Sequence, residues 1–144
     1  MPEFGMTTPM GEVVYHSDAG WLREMMLHAG PEFWNVGGGD AGVEYHRTRL
    51  TLIFNDLHGF YISYRDPNED TSYIPWMLDN YGRSVQVSTG GQPFYLPEAM
   101  FLSRELAYAV VEEFCRTGQR SAKIRWLEAT KVSWNAEAGK PLNL

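Results

Sequence analysis

A single cysteine, Cys115, stands in a chain of 144 residues. One thiol excludes an internal disulfide and every multi-cysteine zinc pattern. No apolar run approaches the roughly 18 residues of a membrane-spanning helix, so none is expected. Basic residues are scarce too: twelve Lys and Arg stand against eighteen Asp and Glu, for a net charge of −6. That sign gives no general attraction for a phosphate backbone, because affinity there scales with cationic contacts, and no direct nucleic-acid binding is expected. It suits solubility, or a basic partner reached through electrostatic steering. The start, MPEFGMTTPMGE, lacks a basic segment followed by an apolar block and does not read as a secretory signal. The expected location is cytoplasmic.

Catalytic signatures are just as thin. No Gly-x-Ser-x-Gly occurs. His16, His28, His46 and His58 show neither HxxxH nor HxH spacing, and they read as single surface or core histidines. Zinc deaminase chemistry needs His-x-Glu and Cys-x-x-Cys, and both are missing. The glycine-rich NVGGGDAG (Asn35–Gly42) is followed by no Lys-Ser/Thr, so it reads as a flexible loop and not a phosphate cradle. Glu112 and Glu113 are adjacent on a helix and point apart, as on a solvated face. Cys115 falls in the last turn of that helix, where the dipole disfavours a thiolate, so it reads as a packed structural thiol. No enzymatic activity, catalytic residue, metal or cofactor is expected.

What the chain does have is apolar and aromatic bulk. Five Trp, eight Tyr and seven Phe can supply one core, and the length suits one domain. Residues 1–10 read as a tail, 11–135 as the domain and 136–144 as a second tail. Glu12–His16 is β-branched enough for a first strand, and Ser17 can cap a helix over 17–29 with Trp21, Leu22, Met25, Met26 and Ala29 on its buried face. Phe33–Val36 reads as a brief strand. Arg47–Asn55 and Phe60–Tyr64 alternate on either side of the Asp56–Gly59 turn, as an antiparallel hairpin. Val85–Val87 and Phe94–Leu96 form another pair around Gly90-Gly91. Glu98–Leu102 reads as extended. A second helix over 104–117 follows, capped by Ser103, with Leu106, Ala107, Val110, Val111 and Phe114 as its stripe. Ile124 and Trp126 alternate as a last strand. The fold class is α+β: one domain, mostly antiparallel sheet, two main helices.

The stretch EEFCRTGQRSAKIRW (Glu112–Trp126) closes that helix, with Gly118 just past its end and Arg116 and Arg120 beside the C-terminal dipole. A helix ending Glu-Phe-x-x-Thr-Gly, then an Arg, then a strand with Arg-Trp, resembles the first immunity-protein family (Imm-one) of bacterial polymorphic toxin systems. The Leu50–Tyr64 hairpin, the Ser84–Ser88 strand, the Gly-Gly turn with Phe94, and Pro97 agree with it. The resemblance spans about residues 12–128; Ser121-Ala122 stands where the family usually has a Pro. It implies a cytoplasmic antidote with no catalytic residues and no cofactor, whose partner is a cognate toxin domain, often a nucleic-acid-targeting one such as a cytosine deaminase.

The expected inhibitory segment is DPNEDTSYIPWMLDNY (Asp66–Tyr81). Asp66, Glu69, Asp70 and Asp79 could mimic phosphates, while Tyr73, Trp76 and Tyr81 could anchor the contact. The competing account has these aromatics plugging the core edge. The next surfaces in line are the Asn35–Gly42 loop and the Asp56–Gly59 turn. Two other functions fit the residues: an adaptor or loading chaperone for a secreted effector, and a small ligand-binding domain with a deep polar pocket.

Overall fold

The structure, a computed structural model, describes residues 4–16, 19–132, 134–135 and 140–141. In chain order the elements are β1 (Phe4–Thr7), β2 (Val13–His16), α1 (Ala19–His28), α2 (Pro31–Trp34), β3 (Asp40–Tyr45), β4 (Thr48–Asn55), β5 (Gly59–Arg65) and β6 (Ser72–Pro75). Then come β7 (Ser84–Thr89), β8 (Gln92–Pro97), β9 (Phe101–Leu102), α3 (Arg104–Thr117), β10 (Trp126–Glu128), β11 (Trp134–Asn135) and β12 (Lys140–Pro141). The class is α+β, and every strand pairing among the described residues is antiparallel.

The main sheet runs β10-β6-β5-β4-β3-β1-β2. β5 shares its outer edge, pairing with β9 at Phe60 and Tyr61 and with β6 at Tyr64 and Arg65. Alternation along the strands feeds two cores. Leu50, Leu52 and Phe54 of β4 join Phe60, Ile62 and Tyr64 of β5 beneath α1 and α3. Ile53, between them in sequence, points to the other face and packs with Val85, Val87 and Leu96 of the β7–β8 hairpin. The molecule is therefore three layers: helices, sheet, hairpin.

Local signals explain α3. Ser103 Oγ accepts the Leu106 N–H at 3.2 Å, and Gly118, at φ 70°, donates to the Phe114 carbonyl at 2.7 Å. Its stripe of Ala107, Val110, Val111 and Phe114 is buried as expected, with Leu106 partly so. The start of α3 is stitched to α1, where Arg104 Nη1 donates to the Met26 carbonyl at 3.2 Å.

Several expectations change. Residues 1–10 are not wholly a tail: β1 pairs with both β2 and β3, and Phe4 and Met6 are buried. α1 spans 19–28, and the Ser17 cap lies outside the described residues. Pro31 starts a short helix, α2, where a strand was expected at 33–36, because its fixed φ and missing donor suit a first turn. Asp40–Gly42 belongs to β3 and not to a loop. Glu98–Met100 is a 3₁₀ turn before β9, and the last expected strand starts only at Trp126. Lys140–Pro141, placed in the C-terminal tail, pairs with Trp134–Asn135; residues 136–139 and 142–144 lie outside the described residues.

Candidate functional site

The Asp66–Tyr81 segment divides in two. Asp66 Oδ1 accepts the Asn68 N–H at 2.9 Å, an Asx turn, and Glu69 Oε1 accepts from the Tyr73 hydroxyl at 3.3 Å. Asp70 is exposed. The Arg120 guanidinium lies 3.5 Å from the centre of the Tyr73 ring and 5.6 Å from that of Tyr64. This end is thus not uniformly acidic, since Arg120 stacks on Tyr73, whose hydroxyl donates to Glu69. Burial raises the Tyr64 hydroxyl above its ordinary pKa, with Asp66 adding to the shift.

The second part begins with a strand. Ser72–Pro75 is β6, hydrogen-bonded between β5 and β10. Tyr73 packs on the helix side of the sheet, whereas Ile74 and Trp76 pack on the hairpin side. Trp76 is only 9% exposed, with Tyr81 edge-on to it at 5.2 Å. Trp76 is therefore core and not an exposed anchor, and Tyr81 plugs the same core. The seven candidates Asp66, Glu69, Asp70, Tyr73, Trp76, Asp79 and Tyr81 do not form one surface.

A different surface gathers around Met77–Asp79. Trp76 N–H donates to the Arg125 carbonyl at 3.0 Å, and Met77 N–H to the Ala99 carbonyl at 2.7 Å. Arg125 returns two bonds, Nε to the Trp76 carbonyl at 3.2 Å and Nη2 to the Leu78 carbonyl at 2.8 Å. Ala99 N–H donates to the Tyr81 carbonyl at 3.1 Å, which straps the far end. On this fixed ridge Met77 and Leu78 are 38% and 37% exposed, and Asp79 is exposed beside them. A groove of about 440 Å³ lies on one flank, between the ridge, the Asp56–Gly59 turn and Glu98–Arg104. A shallower one of about 350 Å³, floored by Trp76 and Ile124, lies on the other.

The turn across the groove is just as fixed. Asn55 Oδ1 accepts the N–H groups of Leu57 and His58 at 2.9 and 3.0 Å. Gly59 has φ 91°, and a side chain there would run into the Leu102 carbonyl. At the apex Leu57 is 89% exposed. Sequence reasoning missed Leu57, Met77, Leu78 and Glu98. The Asp56–Gly59 turn was expected only as a fallback, together with the Asn35–Gly42 loop, and only its position in the β4–β5 hairpin was visible.

The chemistry of the remaining groups is quiet. Burial pushes the Cys115 thiol up to about 12, and the Glu112 carboxylate adds to it. Glu113 sits below the usual carboxylate range, chiefly through a hydrogen bond from Ser121, with Lys123 nearby at 3.6 Å. Among the described residues, no three His, Cys, Asp or Glu groups come together as metal ligands, and no helix is long and apolar enough to cross a membrane. Among known protein families no model matches the chain, and no curated protein shows significant similarity to it, so the immunity-family resemblance rests on the motif residues.

Proposed function

We propose that this chain is an immunity protein, a cytoplasmic antidote that binds one cognate toxin domain and covers its active-site cleft. The toxin is a nucleic-acid-targeting domain, such as a cytosine deaminase or nuclease, because the cationic groups with which such a domain holds phosphates can be met by carboxylates that mimic those phosphates. The observation that carries this reading is the ridge and turn. Leu57, Met77 and Leu78 are exposed on backbone held by hydrogen bonds. Asp56 and Asp79 stand next to them, and neither has an ion-pair partner among the described residues. Apolar side chains on a rigid support, rimmed by acid, suit tight stoichiometric binding, since little ordering entropy is spent on association. The motif residues from Glu112 to Trp126 support the same reading.

The test is co-expression with a toxin domain found encoded beside this chain's gene. Restored growth together with a 1:1 complex of two folded proteins is the expected result. An unneutralised toxin, with no complex, overturns it. Capture of an unfolded effector segment instead would make the chain an adaptor.

A further inference from the structure

We propose that the groove between the Asp56–Gly59 turn and the Met77–Leu78 ridge receives one arginine or lysine side chain from the partner protein. The proposal rests on the reading of a basic protein partner and names what that partner must insert. The walls are apolar along Met77, Leu78 and Phe101, and carboxylates stand at Asp56 and Glu98. Glu98 Oε1 accepts the Arg83 N–H at 3.0 Å, while Oε2 has no protein partner among the described residues. Asp56 is exposed and forms no ion pair among the described residues. Of the lining's two basic side chains, Arg104 turns inward, with its guanidinium 4.5 Å from the centre of the Phe54 ring and donating to the Met26 carbonyl, and His58 Nδ1 lies 3.2 Å from Asn55 Oδ1.

Apolar walls leading to two carboxylates match a side chain with an aliphatic stem and a cationic head. Other occupants fit less well. An acidic or phosphorylated ligand would meet Asp56 and Glu98. A purely apolar segment would strip water from both carboxylates and give nothing back. A second copy of this chain would bring the same carboxylates face to face, between two bodies each of net charge −6.

The experiment titrates the ¹⁵N-labelled protein with acetyl-Leu-Arg-Leu-amide and with its citrulline analogue, which keeps the shape and removes the charge. Shifts confined to the amides of Leu57, His58, Gly59, Met77 and Leu78, with affinity for the arginine peptide at least about fivefold higher, are expected. The Asp56→Asn, Glu98→Gln double variant keeps the acceptor for Arg83 and should lose that preference, with its spectrum elsewhere unchanged. Equal binding of the two peptides, a double variant that still discriminates, shifts away from the groove, or groove shifts that follow protein concentration alone would each overturn the proposal. Peptide discrimination without any toxin complex would retire the immunity reading and keep the groove. A toxin complex indifferent to the double variant would do the reverse.

Discussion

Replacing Phe114 with alanine probes the packing that joins α3 to the sheet. Phe114 is 1% exposed, and its ring stands edge-on to Tyr64 at 6.0 Å and to Tyr45 at 6.3 Å. Truncating a buried Phe costs roughly 3–5 kcal/mol from lost transfer and the residual cavity. Two features place this site in the upper half of that range. Tyr45 is wedged against Gly118, and Tyr64 is tethered by its hydroxyl to the Gly118 carbonyl at 3.4 Å, so neither ring is free to slide into the space. The helix cap survives, because it uses the Phe114 carbonyl. With about 2.1 cal/mol/K of unfolding entropy per residue, the whole chain has roughly 0.3 kcal/mol/K, so a loss of about 4 kcal/mol lowers Tm by about 13 °C. Calorimetry against wild type measures it, with Leu57→Ala as the control. Leu57 is 89% exposed, so its truncation should stay within about 0.5 kcal/mol. A Phe114→Ala protein melting within about 3 °C of wild type would refute the assignment of this face to the core.

Four further outcomes are expected from the structure. Trp76→Ala should destabilise the protein by about 3–5 kcal/mol in denaturant titrations; an unchanged midpoint would show that Trp76 is not held in the hairpin-side core. Cys115 should resist a thiol reagent at pH 8 in the native protein and react fully once unfolded, and rapid native reaction would contradict its burial. Its folded pKa of about 12 stands above the unfolded value near 9, so its contribution is fully present below pH 9 and is lost as pH rises from there towards 12. Measured against Cys115→Ala, wild type should therefore lose relative stability above pH 9, and no divergence there would count against the shift. Reversing Asp56 and Asp79 together, the two carboxylates beside the exposed apolar side chains of the ridge and turn, should slow association with the toxin domain and flatten its salt dependence. Stopped-flow rates that do not change would take the ridge and turn out of the contact.

The helix over Arg104–Thr117 was legible to the residue, because a serine cap, a 3.6-residue stripe and a left-handed glycine are local signals. The β4–β5 hairpin was legible for a similar reason, since alternation and a tight turn act over neighbouring residues. Net acidity and the lone cysteine set chemical bounds before any fold was known. Other features needed the tertiary structure. Phe4–Thr7 alternates over only four residues, too few to mark a strand locally, and is a strand because β2 and β3 satisfy its backbone from both sides. Gly42 fits a strand because its missing side chain leaves room for the Arg49 guanidinium, which pairs with Glu44 at 2.6 Å. The aromatics of Asp66–Tyr81 carried no mark of which would be buried; strand β6 sent Tyr73 to one face and Ile74, followed by Trp76, to the other. The groove joins residues 56–59, 77–78 and 98–104, three segments that only the sheet's pairing and the backbone straps bring together. Pairing over such separations depends on which surfaces can be buried at once, and no local pattern of side chains encodes that.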